Sequence, residues 1–327
     1  MNQLKYFYNK ICQQIISTPS NAAFYLSNID VVKNFYYYPK YLDSIQEYQN
    51  NLKPLTPLEW DLVCQLRERG VAITNLAALN ISNTESFLDG ANKVTNELNC
   101  LSTSPQHQYK DTLTANARQL LERPEILHWG SSNRLQRIVE NYLELPVAYD
   151  GLSFYYSIAN GKERGPRKWH RDKEDWKMIK VAVYLNPVDL DGGPLECVLP
   201  YANNQICQIV GNKYIATRSH KIRKMLNSDN DDWYTSCVGD AGTVVFIDTA
   251  KYYHRGRPPI KRDRAAVFFS YFSTRPKHPY FCGRSPLSED QLAEVSRTWC
   301  ESSRNSILWR RNLEGLERFI PKNRLKV

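Results

Sequence analysis

The chain changes rhythm part-way along. Up to about residue 143 its apolar positions recur at helical spacing, and from Leu152 onward they alternate with polar ones, the period of a half-buried strand. Near the start, Leu4, Phe7, Tyr8, Ile11 and Ile15 share one face of a predicted amphipathic helix, in an aromatic-rich stretch broken at Pro19, Pro39, Pro54 and Pro57. A packed cap accounts for those aromatics better than a platform for stacked bases, because aromatic stripes at helical spacing usually enter a core. Thr56-Pro-Leu-Glu then supplies an N-cap, a proline at the first helical position and a glutamate able to bond back to the cap. A helix is predicted from there to Arg69, with Gly70 as its stop, and 71–74 reads as a short strand. Further helices are expected, one carrying Leu113, Ala117, Leu120 and Leu121 on a face and, past Pro124, one carrying Leu135, Ile138, Val139, Tyr142 and Leu143.

Beyond these, Leu152, Phe154, Tyr156 and Ile158 alternate with Ser153, Tyr155 and Ser157, so one face is apolar and the other can line a cavity. Strands are also predicted over 179–185, 195–199, 243–247 and 265–272, with Gly-rich turns at Asp191-Gly-Gly-Pro and Val238-Gly-Asp-Ala-Gly. Many short strands without alternating helices imply a mainly β chain, an antiparallel sandwich or jelly roll with helical additions. The polar connection 201–235 is long enough to serve as a lid or to hold its own small structure. After Cys282 the pattern turns helical again and ends in a basic tail. The expected division is a helical extension over 1–58, a main domain over 59–281 with a lid-like insertion at 201–235, and a helical extension over 282–327.

Composition narrows this picture without redirecting it. With 42% hydrophobic and 24% charged residues the chain is an ordinary globular one. No run approaches the roughly 18 apolar residues of a membrane span, and no apolar leader opens the sequence. The eight cysteines are scattered without a C-X-X-C pair, which predicts free thiols in a reducing, cytoplasmic setting. A formal charge of +9 favours encounter with anions.

The chemistry gathers at Trp169-His170-Arg171-Asp172, with His254 and Arg264 downstream. A histidine and a carboxylate two apart on an extended chain project to the same side. Two imidazoles and one carboxylate on one face, with further positions open, suit non-haem Fe(II) in oxygen-activating enzymes. Arg264 heads an apolar strand, where an unpaired charge is costly.

Taken in order, Trp169-His-X-Asp, Val181-X-Val-Tyr-Leu-Asn, Asp191-Gly-Gly-Pro-Leu, Gly239-Asp-Ala-Gly-Thr, His254 and Arg264 resemble the Fe(II)/2-oxoglutarate oxygenases of the phytanoyl-CoA hydroxylase type. Leu66-Arg-Glu-Arg-Gly-Val-Ala-Ile and Leu120-Leu-Glu-Arg-Pro-Glu-Ile-Leu resemble that family's helical entry, so the likeness covers about residues 59–281. The resemblance implies a double-stranded β-helix with His170, Asp172 and His254 as metal ligands and catalytic residues. It also implies 2-oxoglutarate and O2 as cosubstrates, and succinate and CO2 as products of a C–H hydroxylation. Arg264 would bind the distal carboxylate of 2-oxoglutarate through a planar fork, with Tyr184, Tyr155 and Ser157 beside the cosubstrate. Family members often carry a hydroxyl residue two after the distal histidine, where this chain has Gly256. Related radical halogenases have a small residue where Asp172 stands, so Asp172 favours hydroxylation or another halide-free oxidation.

Basic residues cluster in sequence around the motif, and Arg167, Lys168, Arg171 and Arg255 are candidate contacts to an anionic small-molecule or carrier-linked substrate. Three other readings stay open. Oxidation of nucleic acid is motivated by the positive charge and the aromatic N-terminal stretch, and predicts binding that weakens steeply with salt. A non-catalytic jelly-roll binding protein would leave the ligand set without a use. A zinc hydrolase can take the same three ligands but gives Arg264 no reason.

Overall fold

The computed structural model describes residues 18–107, 110–211 and 213–322. The N-terminal helix expected around Leu4 to Ile15 lies outside these residues. Thr56 caps the helix Pro57–Arg69 as predicted: its hydroxyl accepts from the Glu59 N–H, and the Glu59 carboxylate accepts from the Thr56 N–H at 2.9 Å. Gly70 ends the helix at φ +76°, and a Cβ there would fall 2.4 Å from the Tyr252 ring, so both conformation and space call for glycine.

Among the described residues nine strands form two antiparallel sheets: β1 (Val71–Asn75), β2 (Thr112–Thr114), β3 (Val147–Ser157), β4 (Ile179–Tyr184), β5 (Leu195–Val198), β6 (Tyr234–Cys237), β7 (Thr243–Asp248), β8 (His254–Gly256) and β9 (Arg264–Ser273). The larger sheet has the order β1-β7-β4-β9-β3-β2 and the smaller β6-β5-β8. Backbone bridges from His170 to His254 and from Trp169 to Thr217 extend the smaller sheet beyond β8. The fold is a jelly roll, with a middle sheet that is apolar on both faces. Inward, Ala182, Tyr184, Val245, Ala266 and Phe268 meet Leu195, Cys197 and Cys237 of the smaller sheet. Outward, Val181, Val183, Phe246, Val267 and Phe269 pack under the helices Thr84–Ser102, Pro124–Gly130 and Asn133–Leu143. This double burial is why β4, β7 and β9 carry few polar residues.

The structure differs from the sequence expectation in two places, both in the helical first part of the chain. Leu113 lies in β2 opposite Tyr156 instead of on a helix, and Leu121 is exposed. The helix Thr84–Ser102 was not signalled: Asn83, its cap position, sits at φ +67° and makes no side-chain cap bond. The 201–235 connection holds the helices Pro200–Val210 and Ser219–Leu226, whose Ala202, Ile206 and Ile222 share a small core with Trp169, Val198, Trp233 and Tyr253. The segment after Cys282 packs into the main cores through Ile307, Leu308, Trp309 and Leu313. No helix among the described residues is long and apolar enough to cross a membrane, and the described cysteines are free thiols.

Candidate metal centre

Backbone pairing sets the centre. The His170 N–H donates to the His254 carbonyl at 3.0 Å, the His254 N–H returns the bond at 2.9 Å, and the Asp172 N–H reaches the Thr249 carbonyl at 2.8 Å. His170 and Asp172 therefore lie on an extended chain and point to the same side, with Arg171 turned the other way. One donor atom from each of His170, Asp172 and His254 falls within 4.8 Å of the others. The two imidazole centroids are 4.4 Å apart, and His254 Nε2 is 3.9 Å from Asp172 Oδ2.

Each ring is oriented by its other nitrogen. His170 Nδ1 lies 2.8 Å from the Lys168 carbonyl and His254 Nδ1 lies 3.2 Å from the Tyr252 carbonyl, which makes Nδ1 the donor and leaves the Nε2 lone pair facing the centre. Burial lowers the pKa of both histidines, His254 strongly and with His170 adding to the effect, so both are held in the neutral, metal-binding form. Burial raises the pKa of Asp172, but Arg284 and Lys180 outweigh it and hold the carboxyl well below its ordinary value. Lys180 Nζ stands 2.5 Å from Asp172 Oδ2, and Arg284 Nη2 donates to Oδ1 at 3.0 Å. The Lys180 contact is an ion pair without hydrogen-bond geometry, and Oδ2 has no hydrogen-bond partner.

Arg264 is buried, at 4% exposure. One terminal nitrogen donates to the Gly193 carbonyl, the other lies 3.4 Å from Ser157 Oγ, and Nε has no partner. Gly193, held at φ +73° in the Asp191-Gly-Gly turn, is what presents that carbonyl. Gly256 gives the guanidinium its space: a Cβ there would stand 2.7 Å from Arg264 Nη2. Burial lowers the Arg264 pKa, yet a guanidinium remains cationic in a protein. No carboxylate among the described residues pairs with it.

The other residues singled out in the sequence fall in different places. Ser157 joins Arg264, and the Tyr155 ring packs edge-on to Phe268 at 5.3 Å on the same inner face. Tyr184 is inside as well, but its hydroxyl donates to the Cys237 carbonyl at 2.8 Å and accepts from the Leu195 N–H at 2.9 Å, bracing the smaller sheet. Of the basic residues expected at the mouth, Arg167 is buried and donates to Asn160 Oδ1 and to the Asp111 and Ile158 carbonyls, which pins its loop. Arg171 lies over the rings of Tyr214 and Tyr253. Arg255, one residue beyond His254, emerges on the opposite face of the sheet and pairs with Glu196 and Glu163. Lys168 is half-buried and contributes its carbonyl to His170. The anionic-substrate expectation, as carried by Arg167, Arg171 and Arg255, therefore meets side chains already engaged elsewhere.

Sequence reasoning missed Lys180, Glu174 and Arg284. Lys180 could have been found, since it alternates with Ala182 and Tyr184 on the inner face, and Glu174 continues the alternation after Asp172. Arg284, far along the chain, carries no local signal.

No family model and no curated protein matches the chain. Among solved structures it is similar to EctD from S. alaskensis with 2-oxoglutarate and 5-hydroxyectoine bound, at 15% identity over 68% of this chain and 77% of that one, with a TM-score of 0.47. It is also similar to HygX from Streptomyces hygroscopicus with nickel and 2-oxoglutarate bound, at 14% identity, 68% and 88% coverage and a TM-score of 0.44. AviO1 from Streptomyces viridochromogenes Tue57 aligns at 14% identity over 67% of this chain and 96% of that one, with a TM-score of 0.42.

Proposed function

We propose that this chain is an Fe(II)- and 2-oxoglutarate-dependent oxygenase of the phytanoyl-CoA hydroxylase type, hydroxylating an unactivated C–H bond of a small or carrier-linked metabolite. The observation that carries the reading is the pairing of a neutral two-histidine, one-carboxylate centre with a buried guanidinium that lacks a carboxylate partner. The donor set fits ferrous iron, which prefers imidazole and carboxylate with coordination positions left open. Arg264 fits a dicarboxylic cosubstrate, because a buried cation without an anion is costly until one binds. A zinc hydrolase uses the same ligands and leaves Arg264 uncompensated.

In this reading His170, Asp172 and His254 hold the metal, and the bound iron with 2-oxoglutarate and O2 supplies an oxidant while releasing succinate and CO2. The chain's own part is orientation. His170 and His254 present Nε2 because the Lys168 and Tyr252 carbonyls fix Nδ1. Arg264 takes the distal carboxylate with its planar fork, Ser157 steadies the guanidinium, and Gly256 keeps its path clear. Tyr155 and Phe268 pack edge-on as part of the inner face.

The test is uncoupled turnover. Protein with Fe(II), 2-oxoglutarate and air should release succinate slowly without an added substrate, and Asp172→Ala should release none. Succinate formation equal in the two proteins would sink the proposal.

A further inference from the structure

We infer that Arg284 is a positioning residue for this metal centre: it fixes the rotation of the Asp172 carboxylate, so the segment after Cys282 completes the site. The inference rests on the metal reading proposed above. Arg284 Nη2 donates to Asp172 Oδ1 at 3.0 Å and also to Glu174 Oε1, so one buried cation bridges two carboxylates that alternate along the same extended chain. Glu174 is itself fixed, its second oxygen accepting from the Lys173 N–H at 2.8 Å. The arginine is equally well anchored from behind. The N–H groups of Gly283 and Arg284 both donate to Asp150 Oδ2, at 2.7 and 3.0 Å, and the Arg284 carbonyl accepts from Ser153 Oγ at 3.4 Å. Asp150 and Ser153 both belong to β3, so Arg284 reaches the centre from a rigid strand.

With Oδ1 held, Oδ2 is the oxygen turned toward the imidazoles, 3.9 Å from His254 Nε2. Lys180 acts differently. Its ammonium lies 2.5 Å from Oδ2, so it adds charge at the oxygen a metal would take, whereas Arg284 holds the other oxygen. Asp172 is the single carboxylate among the three ligands, and a ligand free to rotate binds less well because its ordering must accompany metal binding. Loss of such an outer partner typically weakens metal binding about 10- to 100-fold.

The experiment titrates Co(II) into full-length metal-free protein under anaerobic conditions, reading both affinity and the visible ligand-field band, for wild type, Arg284→Gln and Arg284→Lys. Thermal unfolding of each metal-free protein is recorded alongside. Arg284→Gln should weaken Co(II) binding about 10- to 100-fold and move the band. Arg284→Lys, which keeps the charge but cannot bridge both carboxylates, should fall between. A merely structural arginine would lower the unfolding temperature and leave affinity and band in place, and that result would overturn the inference. If Arg284→Gln does not fold, Arg284→Lys decides: a moved band supports the inference and an unmoved one overturns it. Wild type that binds no Co(II) removes the metal centre itself, whereas failure of this inference alone leaves wild-type binding intact.

Discussion

Arg255 and Arg264 are buried arginines on consecutive strands, β8 and β9, and their surroundings are opposite in kind. Arg255 faces outward. Its Nε meets Glu196 at 2.6 Å, its Nη1 meets Glu163 at 3.1 Å and Ser219 at 2.7 Å, and the plane covers the Trp169 ring at 4.5 Å. Arg264 faces inward and finds a carbonyl, a hydroxyl at 3.4 Å and nothing for Nε. Breaking a compensated buried pair is costly, whereas an uncompensated buried cation favours binding of an anion. The same contrast separates the two faces of the smaller sheet: the outer carries the Arg255–Glu196–Glu163 ion pairs, and the inner carries His254 of the His170–Asp172–His254 cluster.

The largest break in this comparison comes at the centre itself. Asp172→Ala and His254→Ala should each abolish succinate release and metal-stoichiometric binding while circular dichroism stays native. Next is Arg255→Met, which leaves Glu196, 0% exposed, with Arg257 at 3.4 Å as its charged partner and the Ser236 hydroxyl donating at 3.1 Å. Breaking a buried pair costs about 3–5 kcal/mol, and the remaining Arg257 points to the lower end, read as a fall in denaturation midpoint with 2-oxoglutarate affinity unchanged. Arg264→Ala should do the reverse. On the proposed reading it would remove two charge-assisted hydrogen bonds to the cosubstrate, about 3 kcal/mol or roughly 100-fold in 2-oxoglutarate affinity, and leave the denaturation midpoint nearly in place because no internal ion pair is lost. Smallest is Gly256→Ala. The added Cβ, 2.7 Å from Arg264 Nη2, pushes on the flexible end of a side chain, so isothermal titration should show 2-oxoglutarate binding weakened by about 1 kcal/mol, within the usual range for a small steric shift.

Much of this was legible wherever a local rule had a local cause. The Thr56 cap, the Gly70 stop and the alternation of β3 and β4 depend on neighbours in sequence, and they stand where the pattern put them. His170, Asp172 and His254 also converge, because period two on an extended chain is a reliable geometric rule. The same rule read one residue further would have turned Arg171 and Arg255 away from the imidazoles, so their assignment to the mouth came from counting charges along the chain instead of applying the pleat. Other features had no local cause to read. The helix Thr84–Ser102 lacks a capping side chain and contains Gly90, which lies under Glu125 of a neighbouring helix, so it is fixed by tertiary packing. Arg284 reaches Asp172 only because Asp150 of β3 grips its backbone, a relation between three distant segments that spacing cannot encode.

The most direct measurement is an anaerobic titration of metal-free protein with Fe(II) and then 2-oxoglutarate, following the visible charge-transfer band of the chelate, with Arg264→Ala in parallel. The account predicts that the band forms in wild type and that the variant needs roughly 100-fold more 2-oxoglutarate to reach it. Fe(II) binding with no band in wild type, or equal 2-oxoglutarate demand in the two proteins, would contradict it.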